Sequence, residues 1–198
     1  MVFWWVMDEM PLQVTELLAA DLDRGFAELV RSHGGVVYAV LLRLSGGSRD
    51  VEDLVQDTFL RAYTALRGYT PERRAALQPR AWLLAIGMNV WRNHVRTLTR
   101  RPVAESGVDV AELPLVDGGP GPEQSAEHVM ERERLVAALA ELPEHYRVPV
   151  VLRHIAELSY VEVAGLLECP VGTVKAQVSR GLVALRGMSR LAQEEAIG

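Results

Sequence analysis

The sequence predicts an all-α protein built from two small helical domains that an acidic linker joins. Apolar residues recur at helical spacing in both halves, and no segment shows the polar–apolar alternation of a half-buried strand. Between the halves, the stretch from Pro102 to Glu123 holds four prolines, four glycines and five acidic residues, but no lysine or arginine. Such a composition favours an extended, self-repelling linker over a packed domain.

Composition narrows the class of protein. The chain has 198 residues, of which 49% are hydrophobic and 24% charged, so disorder of the whole chain is excluded. The formal net charge of −5 argues against a nucleic-acid-binding protein, but it does not say where the charges lie. The single cysteine, Cys169, excludes an intramolecular disulfide and a cysteine-based zinc cage. A lone cysteine fits the reducing cytosol, so we expect a cytoplasmic protein.

Four helices are predicted in the first half. Leu22 to Val30 shows helical periodicity, and Val36 to Leu44 reads as a buried helix that starts after Gly34-Gly35. Asp50 to Leu66 carries an apolar stripe, residues 67–79 are expected to form a loop, and a longer helix is predicted from Arg80 to Arg101. Residues 1–19 are assigned to an N-terminal tail, because the apolar stretch at 1–7 is too short for a membrane span and lacks the features of a secretory signal.

Four more helices are predicted in the second half. They run over Glu131–Leu142, Glu144–Glu157, Ser159–Glu168 and Gly172–Arg190. Ser159 and Glu162 have the spacing of a capping box, and Pro170 ends the helix that they begin. Two short helices joined by a tight turn predict a helix-turn-helix, with an ordinary helical hairpin as the alternative. Residues 191–198 are assigned to a C-terminal tail.

The helix from Arg80 to Arg101 has the charge of a nucleic-acid-binding surface. It contains five arginines and no acidic residue. Leu83, Ile86, Gly87 and Val90 share one face, and Trp82 and Trp91 lie on its flanks, with Trp82 expected in the core. The opposite face carries a stripe of cations and amides: Asn89, Arg92, Asn93, Arg96 and Arg100. Guanidinium groups with amides suit contacts to phosphates and base edges, whereas a solvated face normally mixes both signs of charge.

The last predicted helix is basic as well. From Val171 to Leu191 there are four cations and no acid. Val174, Val178, Leu182 and Leu185 form the face expected to pack on the core. The outward face and its flanks consist of small and polar groups with two cations, which would let a helix enter the major groove closely: Gly172, Thr173, Lys175, Ala176, Gln177, Ser179, Arg180 and Val183.

The predicted helix over Asp50–Leu66 carries a third, mostly acidic and amide surface. Opposite its apolar stripe lie Asp53, Gln56, Asp57, Leu60 and Thr64. Acidic and amide groups around an outward leucine suit a protein partner better than DNA. A solvated acidic face is the simpler interpretation when this segment is considered by itself.

Four segments together resemble one family over about residues 22–190. They are DVEDLVQDTFLRAY at 50–63, PRAWLLAIGMNVWRNHVRTLTRRP at 79–102, LAELPEHYRVPVVLRHI at 139–155 and LSYVEVAGLLECPVGTVKAQVSRGLVALR at 158–186. In this order they resemble the bacterial extracytoplasmic-function (ECF) sigma factors of the sigma-70 family. The resemblance assigns residues 20–101 to region 2, residues 102–126 to the linker and residues 127–190 to region 4.

The resemblance implies roles for the region-2 residues. Contacts with the β′ clamp helices of core RNA polymerase fall to Asp53, Gln56, Asp57 and Leu60. Contacts with the promoter −10 element fall to Asn89, Arg92, Asn93 and Arg96, with Arg100 and Arg101 on backbone phosphates. The loop from Gly68 to Gln78 corresponds to the place where the family captures a flipped-out base of the single-stranded DNA, which traps the melted state without ATP.

The resemblance also implies roles for the rest of the chain. Duplex DNA of the −35 element would be read by Thr173, Lys175, Ala176, Ser179 and Arg180. The linker would run towards the RNA-exit channel of polymerase, in contact with further subunits. An anti-sigma factor is an expected partner, while no membrane contact, cofactor or metal is expected.

Two other functions stay open on the sequence alone. A stand-alone helix-turn-helix regulator would bind duplex DNA as a dimer without polymerase, and an anti-sigma factor or adaptor would bind protein only. An enzyme is disfavoured because the chain lacks a Walker loop, a GxGxxG fingerprint and an HExxH motif, and its five histidines lack metal-ligand spacing. Cys169 is expected to be a small buried hydrophobe.

Overall fold

The protein is helical throughout the part that the structure describes. The computed structural model describes residues 9–48, 50–100 and 134–195, and none of these residues lies in a strand. In chain order the helices are α1 (Glu9–Ala20), α2 (Leu22–Leu44), α3 (Val51–Arg67), α4 (Pro71–Ala75), α5 (Pro79–Arg100), α6 (134–141), α7 (Glu144–His154), α8 (Tyr160–Leu167) and α9 (Val171–Glu195). The all-α prediction is confirmed, whereas the linker predicted over 102–126 lies outside the described residues.

Helix α1 occupies part of the stretch that the sequence analysis assigned to a tail. Val14 and Leu18 are buried, and α1 packs against α2 and α4. Helices α1 and α2 cross closely at Gly25, where an added Cβ atom would overlap the backbone of Leu18. The apolar residues at 1–7 lie outside the described residues. A helix therefore begins at Glu9. Its packing on α2 and α4 could not be predicted from the sequence pattern of this segment alone.

Helix α2 is continuous through Gly34 and Gly35, where the sequence analysis placed a break. Each glycine costs a helix about 1 kcal/mol relative to alanine. Leu29 before the pair and Val37 after it are both fully buried. Burial of such side chains contributes about 1.5–3 kcal/mol each, so packing on both sides of the glycines outweighs their weak helix propensity.

Helices α2, α3 and α5 build the core of the first half. Leu41, Leu66, Leu83 and Trp91 are almost completely buried there. Trp91 is 2% exposed, so its assignment to the flank of α5 is wrong, whereas Trp82 is half-buried. Helix α5 packs against both α2 and α3, and such packing between helices is not visible in a helical wheel of one segment.

The second half folds into a helix-turn-helix as predicted. The Ser159 hydroxyl accepts a hydrogen bond from the Glu162 amide (3.2 Å), and the Glu162 carboxylate accepts one from the Ser159 amide (2.7 Å). This capping box starts α8. Glu168, with φ of 51°, turns the chain towards Pro170 and α9. Cys169 is only partly buried, so its expected place in the core is half correct. Helix α9 continues to Glu195, past its expected end at Arg190.

The two halves contact each other at the turn after α2. Gly46 and Gly47 both have positive φ, at 68° and 80°. A Cβ atom on Gly46 would lie 3.1 Å from Ala140, and one on Gly47 would lie 3.3 Å from Val136, so the turn packs tightly on α6. At the start of α5, the Arg80 guanidinium lies 3.4 Å from a carboxylate oxygen of Glu157, which lies in the turn between α7 and α8.

The close crossing of α7 and α9 generates a stability prediction. A Cβ atom on Gly181 would lie 2.7 Å from Cγ2 of the buried Val150 and 3.4 Å from Tyr146. The stiff valine cannot rotate away, so Gly181→Ala should lower the free energy of unfolding by about 1–3 kcal/mol. Urea unfolding followed by circular dichroism measures the change.

Gly187→Ala on the same helix is the matched control. An added Cβ atom there meets nothing within 4 Å. The gain in helix propensity should raise the free energy of unfolding by about 0.5–1 kcal/mol. Equal stability of the two variants would contradict the tight crossing of α7 and α9.

Candidate nucleic-acid interface

Helix α5 presents its polar face to solvent. The residues opposite its buried face are exposed or half-exposed: Asn89, Arg92, Asn93 and Arg96. Amides both donate and accept hydrogen bonds, and guanidinium groups donate several, so these groups can meet base edges and phosphates. The side chain of Arg100 and the whole of Arg101 lie outside the described residues. The four described −10 candidates therefore share one accessible surface.

The segment expected to be a loop over 67–79 contains the short helix α4 and an aromatic platform. The Thr70 hydroxyl caps α4 by accepting a hydrogen bond from the Arg73 amide (3.3 Å). The Arg73 guanidinium stacks over the Tyr69 ring, with 3.8 Å between its carbon and the ring centroid. The Trp82 ring lies 6.1 Å from the Tyr69 ring. The exposed Arg73 thus stacks on the half-buried Tyr69 beside α5, a pair that the sequence analysis did not single out.

A neighbouring arginine fixes this segment to the body of the protein. The Arg74 side chain donates one hydrogen bond to the Leu66 carbonyl (3.0 Å) and another to the Leu18 carbonyl (3.4 Å). These carbonyls belong to α3 and α1, so one guanidinium joins three elements. The cap signature of Thr70-Pro71 was the available sequence signal for α4.

Helix α3 presents the outward face expected from its sequence. Asp53, Gln56 and Leu60 are exposed, and Leu60 keeps 66% of its surface accessible. Asp57 is half-buried and pairs with Arg61 at 2.9 Å. Hydrogen bonds from Arg61 to this carboxylate raise the pKa of the Arg61 guanidinium. The four core-binding candidates therefore lie together around one exposed leucine.

Helix α9, the second helix of the helix-turn-helix, is buried on one side only. Val174 and Val178 are buried, whereas the outward residues are all exposed: Thr173, Lys175, Ala176, Ser179 and Arg180. Val183 lies on the same outward side and is 62% exposed. The five −35 candidates therefore form one continuous accessible surface on the second helix of the helix-turn-helix.

Arg153 and Tyr160 adjoin this surface, and the sequence analysis identified neither of them. Arg153, near the end of α7, and Lys175 both lie against the ring of Tyr160, the first residue of α8. These residues come from three helices, so no spacing rule within one segment brings them together.

The sequence matches known families in both halves. Residues 29–101 match the family described as Sigma-70 region 2, and residues 132–185 match the family described as Sigma-70, region 4. The two matches coincide with the bundle that carries α5 and with the helix-turn-helix.

Whole proteins are similar as well. The chain is 31% identical to the RNA polymerase sigma factor CnrH of Cupriavidus metallidurans over 186 residues, which cover 90% of this chain and 95% of that protein. It is 36% identical over 159 residues to the ECF RNA polymerase sigma factor SigE of Mycolicibacterium smegmatis, covering 80% of this chain but only 59% of that longer protein. The chain therefore belongs to the ECF family of RNA polymerase sigma factors.

Solved structures agree with this assignment. The structure of CnrH in complex with the cytosolic domain of CnrY aligns with a TM-score of 0.66 and 25% identity, covering 92% of this chain and 99% of that one. A sigma factor RpoE in complex with the anti-sigma factor NepR from Bartonella quintana aligns with a TM-score of 0.61 at 21% identity, covering 86% and 97%, and this shows a shared fold. The predicted resemblance to ECF sigma factors is confirmed.

The tether at Arg74 generates a prediction about the loop. Arg74→Ala removes two hydrogen bonds that a charged group donates to half-buried carbonyls, so local opening of residues 68–78 should increase about tenfold. Hydrogen exchange of the backbone amides measures it. Arg73→Ala removes an exposed guanidinium of the same helix and should leave these exchange rates nearly unchanged. Equal exchange in both variants would contradict the tethering role.

Proposed function

We propose that this protein directs RNA polymerase to promoters by binding core polymerase through α3 while α5 and α9 read DNA. The observation that carries the proposal is that both basic helices bury one face and expose cations and polar groups on the other. Phosphate contacts supply affinity, and side chains that reach base edges supply sequence preference. An acidic, leucine-centred face on a third helix suits a protein partner.

At the −10 element, α5 would bind the DNA strand through Asn89, Arg92, Asn93 and Arg96, with Arg100 and Arg101 on phosphates. The Tyr69–Arg73 stack beside α5 offers a flat surface on which an unstacked base can rest. Holding a flipped base costs a few kcal/mol of lost stacking, which the contacts to the single strand offset. Strand opening would thus be driven by binding alone, with no catalytic residue.

At the −35 element, α9 would enter the major groove of duplex DNA with its exposed face. Arg180 and Lys175 supply donors for bases or phosphates, while the small side chains of Ala176 and Ser179 let the helix approach closely. Thr173, in the first turn of α9, adds a hydroxyl near the backbone.

Core polymerase would bind the exposed face of α3. Leu60 supplies apolar area, and Asp53, Gln56 and Asp57 surround it with polar groups, as at the centre and rim of an interface. The β′ clamp helices are the proposed contact. The acidic linker over 102–126, which lies outside the described residues, would run towards the RNA-exit channel.

An anti-sigma factor is a proposed second partner. CnrH, which aligns along 92% of this chain, is seen in complex with the cytosolic domain of CnrY. A protein that covers the α3 face or the DNA-reading faces would keep this sigma factor from polymerase or from DNA.

Promoter reading is tested by one substitution in each reading helix. Asn89→Ala should weaken use of the −10 element, and Arg180→Ala should weaken use of the −35 element, each by about tenfold, because a lost base contact costs about 1–3 kcal/mol. Reconstituted holoenzyme transcribes a promoter identified by sequencing transcript starts after forced expression. Each variant should lose discrimination only at base pairs of its own element.

Arg31→Ala is the charge control, because Arg31 is exposed on α2, pairs with Glu28 and lies on neither reading helix. If holoenzyme with both Asn89→Ala and Arg180→Ala transcribed the promoter as well as the parent, both assignments would be wrong. Specific binding of the free protein to a palindrome as a dimer would instead favour a stand-alone regulator.

Core binding is tested at the exposed leucine. Leu60→Ala should weaken binding to core polymerase about tenfold, because part of a buried leucine contributes about 1.5 kcal/mol. Fluorescence titration of labelled protein with core polymerase measures the dissociation constant. Val30→Ala, on α2 and 36% exposed, is the control. Equal affinity of the Leu60→Ala variant and the parent would exclude this face.

A further inference from the structure

The ring of Tyr160 contacts two cations at the junction of α7, α8 and α9. The carbon of the Arg153 guanidinium is 5.1 Å from the ring centroid, and the Lys175 ammonium is 5.7 Å from it. Both distances fall within the range of about 6 Å over which a cation is attracted to an aromatic face. One ring therefore contacts a charge at the end of α7 and another in the second turn of α9.

Local hydrogen bonds fix the start of α8 and the position of the Arg153 guanidinium. Tyr160 follows the Ser159–Glu162 capping box, which determines how α8 begins. The Arg153 side chain donates a hydrogen bond to the carbonyl oxygen of the buried Leu158 (3.3 Å). Lys175 is exposed on a long flexible stem, so the ring limits the conformations of its ammonium group.

Among the described residues, neither charge of this cluster is neutralised by a carboxylate, and the Nε atom of the half-buried Arg153 has no hydrogen-bond partner. Within the part of the chain that the structure describes, neither Arg153 nor Lys175 forms an ion pair with a carboxylate. Burial, together with the charge of Arg153, lowers the pKa of the neighbouring His154, so this histidine is largely neutral at pH 7. The charge of the cluster therefore comes from one arginine and one lysine.

We propose that Tyr160 is a positioning residue that holds Arg153 and Lys175 as a pair for backbone phosphates beside the bases read by α9. Contacts to phosphates determine the register and orientation of a protein on duplex DNA without reading sequence. Ordering the two side chains in the free protein reduces the conformational entropy that they lose on binding. The inference rests on the proposed reading of the −35 element by α9. It adds the residues that fix the position of α9 in the major groove.

Two substitutions at Tyr160 separate the ring from simple packing. Tyr160→Phe keeps the aromatic face and removes the hydroxyl, whereas Tyr160→Leu keeps apolar bulk and removes the aromatic face. Loss of two cation–π contacts should weaken promoter binding by holoenzyme about fivefold to thirtyfold in the leucine variant. The phenylalanine variant should recover most of that loss. The loss should be equal on promoters with altered −35 bases.

Salt dependence identifies the charges. The affinity of holoenzyme for promoter DNA is measured over a series of salt concentrations. Arg153→Ala and Lys175→Ala should each reduce the slope of log affinity against log salt by about 1, because each removes a phosphate contact. Arg31→Ala, on α2, should leave the slope unchanged. In the double variant that lacks both cations, Tyr160→Leu should have no further effect.

The outcomes separate a failure of the role proposed for Tyr160 from a failure of the proposed −35 reading by α9. If Tyr160→Phe weakens binding as much as Tyr160→Leu, or if Tyr160→Leu still weakens binding without the two cations, the positioning role is overturned. Should Tyr160→Leu melt at a lower temperature than the parent, the salt slopes decide, and unchanged slopes for both cation variants overturn the proposal. If Arg180→Ala is also without effect, the assignment of α9 to the −35 element fails and the inference fails with it.

Discussion

One-sided burial of the two basic helices is the constraint on which the rest of the structure depends. Leu83, Leu84 and Met88 hold α5 against its core, and Val174 and Val178 hold α9 against α7 and α8. Rotating either helix would expose several of these side chains at about 1.5–3 kcal/mol each. The polar faces are therefore directed towards solvent by the apolar faces behind them.

Charge is distributed in the same way as burial. The chain has a net charge of −5, yet α5 and the first five turns of α9 contain no acidic residue. The linker sequence over 102–126 contains five acidic residues and no cation, and α3, where the proposed partner is a protein, carries Glu52, Asp53 and Asp57. Because non-specific affinity for DNA follows the number of phosphates neutralised, α5 and α9 have the charge that suits DNA despite the net negative charge of the chain. A net charge averaged over the chain conceals both faces.

Features that depend on neighbours in sequence were predictable, and features that depend on packing between segments were not. The Ser159–Glu162 box is local, because its donors and acceptors lie within three residues, and it forms as expected. The continuity of α2 through Gly34 and Gly35, by contrast, rests on core contacts on both sides of the pair. The burial of Trp91 likewise depends on packing between helices. The Arg153–Tyr160–Lys175 cluster joins three helices, so no pattern within one segment predicts it.

The sequence by itself determined the helical class, the helix-turn-helix and the outward faces of α3, α5 and α9, because helical periodicity and capping chemistry act over a few residues. Only the tertiary structure decided how the helices that carry those faces are held against the rest of the protein. It packs α1 on α2 at Gly25, ties α4 to α1 and α3 through Arg74, and places the turn at Gly46 and Gly47 against α6. Such contacts follow from the shapes of surfaces distant in sequence, and the close packing of a protein interior selects among them.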